Sequence, residues 1–169
     1  DDVPLIGNLA RYDSIKDHKN LLNALALINL KNIKFHCVLV GSNINKKNKS
    51  LLKELKKLRL NNHVKLLGGN QEIQKIMNGL DIFVQSSKSE GFPNVLAEAM
   101  ACGTPCIATN VGDSAFIVGD TGWLVPPSNS KKLAKVITSA LSKIKTKKWQ
   151  KRCAQANSRI YKNFEISKM

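Results

Sequence analysis

Residues 80–109 read LDIFVQSSKSEGFPNVLAEAMACGTPCIAT, and this stretch decides the fold. Leu80 to Val84 is an apolar, strand-like run, Asn94 to Ala101 has helical character, and Pro105 to Thr109 is strand-like again. Pro93 suits the first helical position, where its fixed φ helps and its missing N–H is not needed. Phe92 then falls at the N-cap. A phenylalanine cannot accept the N–H groups of Asn94 and Val95, so these donors and the positive end of the helix dipole are left for an anion, with phosphate the natural guest. Glu98 lies four residues after Asn94 and so on the same helical face. Its Cα–Cβ bond tilts back towards the N-terminus, so its carboxylate can reach what sits there and suits a sugar diol. The alternative is that Glu90 caps its own helix and Glu98 is a solvated surface carboxylate.

The same alternation runs outward in both directions. Val3 to Leu9, Phe35 to Val40, Val64 to Leu67, Asp81 to Gln85, Pro105 to Thr109 and Gly122 to Val125 read as strands. His18 to Leu30, Ser50 to Leu60, Gln71 to Asn78, Asn94 to Ala101, Leu133 to Ile144 and Trp149 to Tyr161 read as helices. Repeated strand–helix units with strands this apolar predict an α/β fold, a doubly wound and mostly parallel sheet with helices on both faces. Ligands of such sheets bind outside the carboxyl ends of the strands, and Arg11, Lys16, Ser42 and Glu90 all follow strands. The length of 169 residues fits one domain, residues 1–169, without internal repeat or long linker.

No segment has the length and apolarity of a membrane span, and no charged start leads into a signal-peptide core, so a soluble, cytoplasmic chain is expected. Cys37, Cys102, Cys106 and Cys153 sit in apolar or helical patterns and read as reduced thiols; Cys102 and Cys106 lack the second ligand pair of a zinc site. His18, His36 and His63 are isolated from carboxylates and cysteines and read as structural or solvated. No metal is expected. The net charge is +15, with 23 lysines but only four arginines among the 27 basic residues. Such a charge fits an anionic substrate, a membrane surface or nucleic acid, but arginine forks and stacking aromatics are missing, so nucleic acid is not the expected partner. Most of the lysines interleave with helical apolar positions and read as solvated faces.

The loop Gly7-Asn8-Leu9-Ala10-Arg11-Tyr12-Asp13-Ser14-Ile15-Lys16-Asp17-His18 carries two cations to the crevice that the Asn94 helix faces. Arg11 as a planar fork and Lys16 as a point charge would hold a diphosphate, unless the loop is simply solvated. Gly41-Ser42 and Gly68-Gly69 permit close backbone approach or merely punctuate turns. There is no GxGxxG or Walker-type glycine loop, which argues against a dinucleotide cofactor or an NTPase.

Taken in order, Gly7…Arg11-x4-Lys16-Asp17-His18, Val38-Leu39-Val40-Gly41, Val64-x2-Leu67-Gly68, the run from Glu90 to Pro105 and Gly122-x2-Val125-Pro126-Pro127 resemble the C-terminal half of a group-one glycosyltransferase, a retaining family with the GT-B fold. The resemblance covers almost the whole chain and implies a domain that binds a nucleotide-diphosphosugar donor, UDP-linked, for cell-envelope polysaccharide, lipopolysaccharide or glycoconjugate synthesis. It implies that Glu98 holds the ribose hydroxyls and that Arg11 and Lys16 hold the diphosphate. Backbone amides of Gly91, Phe92, Pro93, Asn94 and Val95 are implied to meet the distal phosphate and sugar, with Glu90 against the sugar; Pro93 lacks an N–H and contributes only its place in the turn. The catalytic set is then Glu90, Arg11 and Lys16, with charge stabilisation in place of a metal. A glycan or lipid-linked acceptor would bind through an N-terminal domain that the chain lacks, with the inner membrane face as a place of contact. The isolated half is then expected to be inactive. The segment from Glu165 to Met169 resembles the start of the helix that crosses back to that domain. One departure from the family's pattern is Ala115-Phe116, where many relatives carry Pro-Glu. A GT-B-type sugar-nucleotide epimerase would share the same nucleotide half, and a basic nucleic-acid module is the more distant alternative.

Overall fold

The computed structural model describes residues 3–69 and 72–164. Gln71, with which one expected helix begins, and the segment 165–169 lie outside the described residues. The described residues form six strands: β1 (Leu5–Leu9), β2 (His36–Val40), β3 (Val64–Leu66), β4 (Ile82–Gln85), β5 (Cys106–Thr109) and β6 (Trp123–Val125). They alternate with α1 (His18–Asn29), α2 (Lys49–Lys57), α3 (Ile73–Asn78), α4 (Asn94–Ala101) and α5 (Ser114–Val118), and α6 (Ser130–Leu141) and α7 (Lys147–Asn163) follow. The sheet order is β3-β2-β1-β4-β5-β6, with every pairing parallel. The doubly wound expectation holds.

Apolar side chains of the strands alternate between two cores, as the two-residue period of a strand requires. Ile82 and Val84 join a core with Leu21 and Leu25 of α1, Leu51 of α2 and Ile137 of α6, whereas Phe83 faces Leu96 and Met100 of α4 and Ile117 of α5. The helix α7 reaches both, through Trp149 in the first core and Ala156 in the second. Burial on both faces is why β4 and β5 are wholly buried and read as continuous apolar runs.

The helix α5 is absent from the helices that the sequence pattern predicts. Five residues are too few for helical periodicity to show, yet Ile117 and Val118 are fully buried. Chain order reverses between β1 and β4, which pair through Ile6 with Ile82 and Gly7 with Phe83. In an open parallel sheet this reversal leaves a crevice at the strand ends, so the loops after β1 and β4 flank the place where a ligand can enter.

Candidate functional site

A cleft of about 350 Å³ occupies that crevice, walled by Arg11 and Lys16 after β1, by Glu90 after β4, and by Phe92 to Val95 at the start of α4. Seven of the expected residues therefore meet in one place. Gly91 stands between Glu90 and Phe92, and its carbonyl accepts the Asp113 N–H at 2.9 Å.

The helix entry differs by one residue from the expectation. Pro93 keeps a φ of −78°, but its ψ of 85° is not helical, so it is the N-cap and Asn94 is the first helical residue. Its carbonyl accepts the Leu96 N–H at 3.0 Å, as a cap residue's does, and no side chain caps the helix. The Asn94 N–H turns back to the Phe92 carbonyl at 3.0 Å, and among the described residues no hydrogen bond takes up the Val95 N–H. An uncapped N-terminus facing a cleft is a place for negative charge.

Glu90 does not cap this helix. Its two carboxylate oxygens accept from Lys16 Nζ at 2.7 and 2.8 Å, and Ser87 Oγ donates to Oε1 at 2.6 Å. The pair is largely withdrawn from solvent, with the Lys16 side chain 23% and the Glu90 side chain 11% exposed. Arg11 is freer, 65% exposed and 3.6 Å from Asp13. Glu98 is exposed and lines a separate recess with Gln74 and Asn78 of α3 and Tyr161 of α7. It stands one helical turn, about 6 Å, beyond Asn94.

Asn8 and Gln85 were missed by the sequence reading. Both are buried and both line the cleft. Asn8 is held by its Nδ2, which donates to the Val84 carbonyl at 2.8 Å, and its Oδ1 has no partner among the described residues. Gln85 is held by its Oε1, which accepts from Thr109 Oγ1 and Ser114 Oγ, and its Nε2 has no partner among the described residues. A spare acceptor and a spare donor at the end of adjacent strands suit a ligand with hydroxyl groups, because buried polar atoms otherwise have partners. The available signal was a polar residue near the carboxyl end of each apolar strand.

The glycine pairs divide. Gly41 has φ +145°, and a Cβ there would lie 2.2 Å from the Ala10 carbonyl oxygen. Its close approach is to the protein's own backbone. Gly69 has open space around it. All four cysteines are free, and burial pushes the Cys37 thiol up to about 12.

His18, expected to be structural or solvated, is buried at the start of α1. Burial lowers its pKa from 6.5 to about 4, against raising pulls from the Ala10 carbonyl, Asp17 and Asp13, with Lys16 adding a small lowering push. The unfolded chain therefore binds the extra proton between these values, so this contribution to stability is whole above about pH 6.5 and is lost as pH falls towards 4. Between pH 7 and pH 5 the expected loss from this group is about 2 kcal/mol. Urea unfolding at the two pH values checks it, and His18→Gln should lack that step.

The family "Glycosyl transferases group 1" matches residues 1–158. "Putative glycosyltransferase EpsF" of Bacillus subtilis is 35% identical over 109 residues, 64% of this chain and 28% of its own. An N-acetylgalactosaminyltransferase of Campylobacter jejuni, named for a diphospho-undecaprenol-linked acceptor, is 29% identical over 164 residues, 95% of this chain and 44% of its own. Among solved structures, a glycosyltransferase from Rickettsia africae superposes with a TM-score of 0.91 at 27% identity, covering 99% of this chain and 45% of that one. Anabaena HepE in complex with UDP-glucose superposes with a TM-score of 0.88 at 26% identity, covering 99% and 46%. The chain thus spans less than half the length of these relatives. Its sequence match, its parallel sheet and the cleft at the strand reversal agree, and the chain belongs to the group 1 glycosyltransferases.

Proposed function

We propose that this chain is the donor-binding half of a retaining glycosyltransferase that moves a sugar from a nucleotide-diphosphosugar to a glycan or lipid-linked acceptor. One observation carries the reading: Arg11, Lys16 and an uncapped α4 N-terminus converge on one cleft beside Glu90. That is an arrangement for a diphosphate leaving group, with cations and a helix dipole placed where negative charge develops. In this reading Glu90, Arg11 and Lys16 act on the reacting end, and the backbone from Gly91 to Val95 meets the distal phosphate. The turn of helix between Asn94 and Glu98 is a step that a nucleoside attached to the diphosphate can bridge, which gives the ribose to Glu98. The reading asks for no metal. UDP is the proposed nucleotide, supported by HepE, a relative solved with UDP-glucose. A lipid-linked acceptor is supported by the name of the Campylobacter relative.

The acceptor side and turnover are assigned to a second domain, so residues 1–169 alone are expected to bind donor and transfer nothing. The whole enzyme is proposed to work in the cytoplasm, in contact with the inner membrane face and independently of nucleic acid. Among the described residues no helix is long and apolar enough to cross a membrane.

A thermal-shift panel of sugar nucleotides tests the reading, because a ligand bound by the folded state raises the melting temperature. UDP-sugars are expected to stabilise the chain, and no shift with any of the panel would overturn it. Glu98→Ala is expected to weaken UDP binding by about 10-fold with the fold unchanged, as for a lost hydrogen bond to a charged group. Isothermal titration reads this, and unchanged affinity would remove Glu98 from the ribose.

A further inference from the structure

Glu90 is held from two sides by groups of different kinds. Lys16 Nζ reaches both of its oxygens, whereas Ser87 Oγ donates to Oε1 alone, at 2.6 Å. Among the described residues, Oε2 has no hydrogen-bond partner besides Lys16. The ammonium is a compact charge on a flexible stem, with three donors to share. In the donor reading it also serves the diphosphate, which carries more negative charge than one carboxylate. A hydroxyl has a single proton to donate, and at this distance its bond to a carboxylate is of the short, charge-assisted kind.

Ser87 is fixed where it stands. It is 2% exposed, near the start of the loop that joins β4 to α4. Its carbonyl accepts from Thr109 Oγ1, at the end of β5, at 2.7 Å. On one side of it Ser86 Oγ donates to the Lys16 carbonyl at 3.0 Å, and on the other the Lys88 N–H donates to the Ile15 carbonyl at 2.7 Å. Both flanks are thus tied to the loop after β1. The hydroxyls of Ser86 and Thr109 go to backbone carbonyls and stitch these segments together. That of Ser87 goes instead to a carboxylate that walls the cleft, and Ser87 lines the cleft itself. The two supports of Glu90 respond differently to an anion in the cleft. Lys16 is drawn towards the anion and loosens its hold, while the uncharged, backbone-anchored Ser87 keeps its bond. Oε1 is then pinned, and Oε2 is left to accept from a hydroxyl.

We propose that Ser87 is a positioning residue for donor-sugar recognition: its hydroxyl anchors Oε1 of Glu90 while the diphosphate engages Lys16, so that Oε2 is presented to a hydroxyl of the sugar. This role rests on the glycosyltransferase reading above, with Glu90 at the reacting end. Isothermal titration of the 169-residue chain tests it, with UDP, UDP-glucose, UDP-galactose and UDP-N-acetylglucosamine as probes. The readout is the affinity for the best-bound UDP-sugar relative to that for UDP. Ser87→Ala should lower this ratio at least about fivefold while changing UDP affinity less than about twofold, because only the sugar loses a fixed acceptor. Retained UDP affinity also shows that the variant is folded. Glu90→Ala should lower the ratio as well, and adding Ser87→Ala to it should lower it no further, since Ser87 acts through that carboxylate. A serine that only supports the loop would weaken both ligands alike, with or without Glu90. That result, or an unchanged ratio in Ser87→Ala, overturns the role of Ser87 and leaves the donor site standing. UDP bound with none of the three UDP-sugars bound removes the sugar contact and this role, and keeps the nucleotide site. No binding of any of the four probes overturns the donor reading and the role together.

Discussion

Lys16→Ala is expected to lower the affinity of this chain for UDP by about 10- to 100-fold while leaving uridine affinity nearly unchanged. The side chain and the backbone of Lys16 do separable work. Its carbonyl accepts from Ser86 Oγ and its N–H donates to the Asp13 carbonyl at 3.2 Å, and both bonds survive truncation. What is lost is the ammonium that holds both Glu90 oxygens. The substitution therefore acts twice, removing a cation from the diphosphate and leaving the largely buried Glu90 carboxylate facing it uncompensated. The double variant Lys16→Ala with Glu90→Gln should recover part of the loss, because the repulsion goes with the carboxylate. Titration of UDP and uridine into the three proteins separates these terms, and an equal loss for both ligands would make Lys16 a support of its loop.

The strand–helix alternation was legible because every strand but the short edge strands is buried on both faces and every helix but two spans at least two turns. The helix α5 was illegible for the opposite reason. It is five residues long and flanked by Gly112 and Gly119. Missing it hid part of the cleft's wall, since Ser114 on its first turn helps hold Gln85, which lines the cleft. The convergence of Arg11, Lys16, Glu90 and the α4 N-terminus followed from the rule that strand ends carry the ligand. The Lys16–Glu90 ion pair did not follow, because 74 residues separate its members and only the parallel β1–β4 neighbourhood brings them together. The placing of Pro93 was a matter of ψ, which proline leaves open while it fixes φ. The sequence left His18 as structural or solvated, because an imidazole between Asp17 and Lys19 fits either, and only the packing around α1, which withdraws it from water, decides between them.

Gly112→Ala is expected to destabilise the chain by at least about 2 kcal/mol and to weaken UDP binding as well, although Gly112 does not line the cleft. Gly112 has φ +50°, in the left-handed region that a side chain enters only with strain. Strain is the smaller part. A Cβ would stand 2.2 Å from the Glu90 carbonyl oxygen and 2.3 Å from that of Gly91, both backbone atoms that cannot swing aside as a side chain would. The missing Cβ is what lets the loop after β5 lie against the loop before α4, where the Asp113 N–H grips the Gly91 carbonyl at 2.9 Å. Pushing the two loops apart must break that bond, shift the peptide that follows Glu90, or both. The first change lowers stability, and the second moves the carboxylate away from Lys16 and turns the α4 entry. Gly69→Ala is the control, since a Cβ at Gly69 also meets nothing within 4 Å and Gly69 has no part in the proposed site. Urea unfolding and UDP titration on both variants decide the matter: a Gly112→Ala protein as stable and as tightly binding as the Gly69→Ala protein would mean that the contact between the two loops does not hold the site in place.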